Sequence, residues 1–193
     1  MKNNELIKSF FQQFELLNEN EIDQIVAQTT SRRIKKGDFF ISEGFISQEV
    51  AFVKEGFFRH FIRDTSGEEK TYCLTFPNQM IAAYSSFISG DETKEYIQAI
   101  TNSEVIILSK TSLENIFNNN INWLKFSKLI TENEYIELEK RIFSLLNDSA
   151  KKRYLDLLEN KPQYVQQIPL KYLSSYLGVS QRHLSRLRRE ISL

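Results

Sequence analysis

Gln181, Arg182, Ser185, Arg186 and Arg189 fall within nine residues near the end of a 193-residue chain. Arginine and glutamine can each make paired hydrogen bonds to base edges in the major groove of a duplex, and serine can make single ones. Lys171, His183 and Arg188 lie close by in sequence and carry the positive or polar groups that suit phosphate oxygens. At about 100° per residue, Leu184, Leu187 and Ile191 share a narrow sector of a helix. Ser185, Arg189, Arg182 and Arg186 lie opposite them, with Gln181 at the edge. The pattern is therefore that of a helix with an apolar back and a base-reading, phosphate-neutralising front. A solvated basic helix closing a domain would share each feature singly.

The residues before this helix separate the two readings. "LKYLSSYLGVSQRHLSRLRRE" (170–190) contains what a helix-turn-helix requires. Leu170, Leu173 and Leu177 give the first helix its apolar face, and Ser174 is small enough for a close helix crossing. Gly178 stands at the turn, where positive φ favours glycine. Val179 follows it, and Ser180 can cap the second helix.

Charge is distributed to match. Residues 1–149 hold 16 Lys+Arg against 22 Asp+Glu, a balance of −6, whereas residues 150–193 hold 9 against 3, a balance of +6. A basic segment on an acidic body suggests that the carboxyl end binds a polyanion. Within the basic segment, Lys151, Lys152 and Arg153 form a further cationic run.

Other functional classes find little support. The single cysteine, Cys73, excludes an internal disulfide and a four-thiolate cluster, and fits a reducing compartment. His60 and His183 are far apart, so no metal site is expected and each reads as a surface or strand histidine. No nucleophile–base pair is evident, which argues against an enzyme on a cupin-like barrel. No apolar run reaches a membrane-spanning length, and the first residues lack a signal-peptide pattern, so a cytoplasmic protein is expected.

The remaining chain divides by pattern. Residues 5–30 read as helices, with Asn18-x-x-Glu21 as a capping box. Residues 32–110 are short Phe-, Val-, Ile- and Tyr-rich stretches punctuated by glycine, which predict an antiparallel sandwich or barrel. "DTSGEE" (64–69) reads as a hairpin turn, and Thr111-x-x-Glu114 as the start of a short helix. From about residue 122 to 147 there is neither Gly nor Pro, so one long helix is expected. On it Tyr135, Leu138, Ile142 and Leu145 form a narrow stripe suited to pairing with a second helix, or to packing on the chain's own sheet. A further helix is expected at about 149–160, ended by Pro162, and "QYVQQI" (163–168) as a short strand.

This order of parts resembles the Crp/Fnr family of bacterial transcription regulators. "KKGDFFISEG" and "EVAFVKEGFFR" carry the resemblance in the strand region, and "YLGVSQRHLSRLR" at the end. The resemblance implies an α+β fold: an N-terminal antiparallel β-roll of cyclic-nucleotide-binding type with flanking helices, a long dimerisation helix and a C-terminal helix-turn-helix domain. It implies a roll and long helix over 1–148 and a DNA-binding domain over 149–193. It further implies a homodimer on a near-palindromic site in double-stranded DNA, with RNA polymerase as a possible further partner, and no enzymatic activity.

The sequence departs from the family at the ligand cassette. Ala82-Ala83 stand where the cyclic-AMP-binding members have Gly-Glu, and Thr93-Lys94-Glu95 where they have Arg-Ser-Ala. The missing arginine and carboxylate argue against cyclic AMP. Tyr84, Ser85, Ser86, Thr93 and Lys94 are then the candidates to line a pocket for another small molecule. The oxygen-sensing cysteine cluster is also absent. Gln181-Arg182 replace the Arg-Glu pair that opens the reading helix in the cyclic-AMP branch, which implies a different target sequence, and no strand pair is expected after Ile191. The rival reading is a small-molecule sensor whose C-terminal module contacts a protein partner.

Overall fold

A computed structural model describes residues 5–191. The chain forms two compact units, one of residues 1–60 with 74–132 and one of residues 61–73 with 133–193. The long helix is thus shared between units, whereas the division read from the sequence lies just beyond its end, at 148/149.

In the first unit, α1 (Glu5–Gln12) buries Ile7 and Phe11, and α2 (Glu19–Val26) buries Ile22, Ile25 and Val26. The Asn18 side chain accepts from the Glu21 amide at 3.0 Å and Glu21 Oε2 accepts from the Asn18 amide at 2.8 Å, closing the expected capping box. Phe10, Phe11, Phe14, Trp123 and Phe126 pack largely edge-to-face.

The strands are β1 (Thr30–Ile34), β2 (Phe39–Ile41), β3 (Glu49–Glu55), β4 (Phe58–Arg63), β5 (Glu69–Thr75), β6 (Met80–Ile81), β7 (Tyr96–Ala99) and β8 (Ser103–Ser109). They form two four-stranded sheets, ordered β1-β8-β3-β6 and β2-β7-β4-β5. Strands β3 and β8 are covered on both faces. Ala51, Val53, Val105 and Ile107 join Phe58, Ile97 and Ala99 in the roll interior, while Val50, Phe52, Ile106 and Leu108 join the aromatic cluster. That double burial explains why "VAFV" and "VIIL" are continuous apolar runs. Along β5 and just beyond it, Leu74, Thr75 and Phe76 are buried in succession, so this strand does not alternate strictly between buried and exposed residues. Gly56 turns β3 into β4 with φ +90°, and a Cβ there would stand 2.7 Å from the Ser103 Cα, so only glycine fits.

After β6 comes α3 (Tyr84–Ser89), and after β8 come α4 (Lys110–Asn119) and α5 (Ile121–Asn147). The start of α4 corrects the sequence reading. Its cap is Ser109, whose Oγ accepts from the Ser112 amide at 3.1 Å, and Thr111 lies inside the helix.

The second unit contains the rest of α5, then α6 (Ala150–Asn160), α7 (Pro162–Gln167), α8 (Leu170–Tyr176) and α9 (Gln181–Ile191). Residues 163–168 are not a strand. Pro162 occupies the first turn of α7, where its missing N–H has no intrahelical partner to lose, and Tyr164 packs edge-on to Tyr176 with centroids 5.8 Å apart. Tyr154, Leu157, Tyr164, Ile168, Leu173, Leu177, Leu184 and Leu187 are buried. The turn of residues 64–68 is closed by the Asp64 carboxylate, which accepts from the Ser66 amide and hydroxyl and from the Glu68 amide at 2.6–3.0 Å. Among the described residues no helix is long and apolar enough to cross a membrane.

Candidate nucleic-acid interface

The turn between α8 and α9 is built from its hydrogen bonds. The Gly178 amide donates to the Ser175 carbonyl and the Val179 amide to the Ser174 carbonyl, each at 3.0 Å. This pairing is a Schellman motif, and it requires the left-handed φ of +68° that Gly178 adopts. Ser180 then opens α9, its Oγ accepting from the His183 amide at 3.2 Å. Leu184 and Leu187 are buried, Ser174 is buried beneath the crossing, and Ile191 is half-buried.

The opposite face of α9 is open. Gln181, Arg182, Arg186 and Arg189 are exposed and Ser185 is half-buried. Arg186 lies 3.6 Å from Glu190 one turn on, an exposed pair that leaves its guanidinium largely in solvent. The expected phosphate contacts separate. Lys171 is exposed, with Nζ 5.8 Å from the Tyr172 ring centroid, and His183 is half-buried. Arg188 turns inward, and its Nη2 donates to the Val165 carbonyl at 3.2 Å.

Sequence reasoning missed three residues that hold this head. Arg153, read as part of a phosphate-binding run, is spent on carbonyl oxygens. Its Nε and Nη2 donate to Leu177 at 3.1 and 2.9 Å, and its Nη1 donates to Asp148 at 2.5 Å. Arg141 donates to the Tyr176 carbonyl, with its guanidinium carbon 3.9 Å from that tyrosine's ring centroid. Burial lowers the Arg141 pKa below its ordinary value, an effect that the neighbouring Tyr176 opposes and Arg153 reinforces. Ser175 Oγ accepts from the Thr71 amide at 2.9 Å and donates to the Glu69 carbonyl at 3.1 Å. No local motif marks these residues, because the partners on or across from α8 lie 24 to 106 positions away in sequence.

The five pocket candidates do not converge. The Thr131 hydroxyl donates to Ser127, so the Tyr84 hydroxyl, 3.0 Å away, donates to Thr131. The Ser86 hydroxyl accepts from the Ser47 amide at 2.9 Å and donates to the Asp91 carbonyl at 2.5 Å. Thr93 is buried with its hydroxyl accepting from the Glu95 amide at 3.2 Å, and Ser85 and Lys94 are exposed. An open groove of this unit, lined by Phe39, Ile41, Phe45, Ile46 and Glu49, includes none of them. Residues 82–95 contain no guanidinium, and Ala83 is fully buried, so they do not fit a cyclic phosphate. The roll nevertheless holds buried polar side chains. His60 Nδ1 is 3.2 Å from Glu95 and Nε2 is 3.0 Å from Thr75, while Arg59 donates to Gln98 at 2.6 and 2.9 Å.

Comparison with known proteins agrees with this architecture. Residues 31–120 match the family described as Cyclic nucleotide-binding domain. No curated protein matches the sequence. Among solved structures, FixK2 from Bradyrhizobium japonicum superposes with a TM-score of 0.75 at 17% identity, over 85% of this chain and 84% of FixK2. A protein described as a transcriptional regulator of the Crp/Fnr family from Eubacterium rectale gives 0.73 at 17% identity, over 95% and 88% of the two chains. The regulator CLP of Xanthomonas campestris, described as responsive to c-di-GMP, gives 0.66 at 16% identity, over 91% and 92%. Residues 31–120 are thus similar to a cyclic nucleotide-binding domain, and the chain shares the α+β fold of FixK2 and of the Eubacterium rectale protein.

Proposed function

We propose that this protein is a DNA-binding transcription regulator that acts as a homodimer. The observation that carries the reading is α9: Gln181, Arg182, Arg186 and Arg189 stand exposed over a back of buried Leu184 and Leu187. In this reading Arg186 and Arg182 make paired hydrogen bonds to bases, with Gln181, Ser185 and Arg189 adding contacts along the groove. Lys171 and His183 supply phosphate contacts. Arg188 stands nearby, but its bond to Val165 gives it a bracing role as well.

The second half of α5 supports the dimer. Tyr135, Leu138, Ile142 and Leu145, the stripe read from the sequence, are all exposed, as are Ile136, Phe143 and Leu146. An apolar surface this extensive on a long helix suits burial against a second copy. A two-fold dimer places two copies of α9 in successive major grooves about 34 Å apart, on a near-palindromic site. FixK2, CLP and the Eubacterium protein, each sharing this fold, support the assignment.

Cyclic AMP is not part of the proposal, because Thr93, Lys94 and Ala82-Ala83 lack the groups that would hold its phosphate and ribose. Any effector of the roll is a small molecule other than cyclic AMP. The competing reading has α9 docking on a protein. Titration of duplex binding against salt separates the two: phosphate neutralisation makes log affinity fall linearly and steeply with log salt concentration. Failure of the protein to bind any duplex at low salt contradicts the proposal.

A further inference from the structure

The carbonyl end of α8 poses a question of supply. The Schellman motif satisfies the Ser174 and Ser175 carbonyls from the turn's own amides. The next two carbonyls, those of Tyr176 and Leu177, are left without an intrahelical donor. Two arginines from outside the helix meet them. Arg141, on α5, takes the Tyr176 carbonyl and lies over its ring at 3.9 Å. Arg153, on α6, takes the Leu177 carbonyl with two nitrogens and reaches Asp148, at the end of α5, with the third.

We infer that Arg141 and Arg153 are positioning residues that fix the pose of α8, and through it that of α9, against the end of the long helix. The inference rests on the function proposed above and goes beyond it, because neither side chain is assigned to the DNA. A guanidinium suits the task for a geometric reason. Its planar fork serves two helix ends at once, which a lysine ammonium on a flexible stem does not do with the same rigidity. Both cations also sit where the negative end of a helix dipole favours them. Rigidity continues into α9 through the Schellman turn and the Ser180 cap. Ser175 fixes the other flank of α8 by bridging Glu69 and Thr71 of β5. A dimeric reader needs this stiffness, since the separation of its two reading helices must match one helical repeat of DNA.

The experiment uses the full-length protein and a duplex that the wild type selects from a random pool. Sister duplexes have their half-sites moved closer or farther by one base pair. Affinities are measured for wild type, Arg141→Ala, Arg153→Ala and Arg153→Lys, over a range of salt, with the active fraction fixed by stoichiometric titration. The wild type should favour its native spacing. Each variant, Arg153→Lys included, should lose about tenfold of that preference. The salt slope on random DNA should stay unchanged, a split that simple loss of folded protein does not produce.

Unaltered spacing preference in both alanine variants overturns the inference. So does a salt slope reduced by about one ion for Arg153→Ala with spacing preference intact, which makes Arg153 a phosphate contact. If an alanine variant does not fold, amide exchange at Gly178 and Val179 in Arg153→Lys decides: faster than wild type supports the clamp, and equal exchange overturns it. Wild type that selects no duplex contradicts the functional reading itself, and the exchange comparison still tests the clamp.

Discussion

The Glu21 carboxylate accepts hydrogen bonds from Asn120 at 2.7 Å and Asn122 at 3.0 Å, joining α2 to residues a hundred positions on at the start of α5. Its other oxygen serves the Asn18 amide, so both oxygens are engaged. Burial pushes the Glu21 pKa up, but hydrogen bonds from Asn120, the Asn18 amide and Asn122 together outweigh it and hold the carboxyl below 4.5. The folded state therefore binds fewer protons than the unfolded chain. The resulting stability is complete above an unfolded pKa near 4.5 and is lost as pH falls through the folded value. Glu21→Gln should flatten the acid limb of the melting-temperature profile. It should also cost about 1–3 kcal/mol near neutrality, because one amide oxygen cannot serve both sides. Thermal melts from neutral pH into acid check both, and a variant with the wild-type acid slope contradicts the assignment.

Gly178→Ala should destabilise the head for backbone reasons alone. A Cβ there would meet Leu145 Cδ2 at 3.5 Å and Arg153 Nη2 at 3.8 Å, both ordinary contacts. The expected cost is the left-handed conformation, about 1–2 kcal/mol, and Gly178→Asn should cost less. Urea denaturation of the three proteins tests this. Equal loss for Ala and Asn would point to crowding instead.

Pairing through α5 predicts that Leu138→Glu combined with Leu146→Glu yields a folded monomer. Leu138 is 50% exposed and Leu146 76% exposed, so the chain's own core loses little. Analytical ultracentrifugation should show the wild type as a dimer and the variant as a monomer with an unchanged far-UV spectrum. A variant that stays dimeric places the interface elsewhere.

A ligand that binds only the folded state raises its melting temperature, by about 2.7 kcal/mol of stability at a hundred times its Kd. Cyclic AMP at millimolar concentration should leave the melting temperature of this protein unmoved. A rise of several degrees would mean that Thr93 and Lys94 hold a phosphate despite lacking a guanidinium fork.

Local chemistry was readable in the sequence and long-range chemistry was not. Asn18 and Glu21 announce a capping box because both partners lie within one turn, and Gly178 announces its turn because glycine alone adopts that φ freely. The two-fold period along β3 and β8 was hidden because both faces are buried. "QYVQQI" resembles a strand by its β-branched and aromatic residues, yet Pro162 starts a helix there and Tyr164 finds Tyr176 to pack on. Thr111 and Ser109 both have capping chemistry, and the end of β8 at Ser109 selects the earlier one. Arg153 was the instructive case. In a run of Lys151-Lys152-Arg153 it reads as surface charge, and only the fold brings the Leu177 carbonyl to it. The exposed face of α9 was legible because a helix of eleven residues with two buried leucines has only one way to turn.

The central claim, that α9 reads bases with Arg186 at its front, is tested most directly by Arg186→Ala on two duplexes at one salt concentration: the sequence that the wild type selects, and random DNA. Loss of a paired base contact should weaken the selected duplex by about 1–3 kcal/mol and relax the preference at one position of each half-site, with a much smaller change on random DNA. Equal weakening on both duplexes, with selectivity intact, would contradict the account.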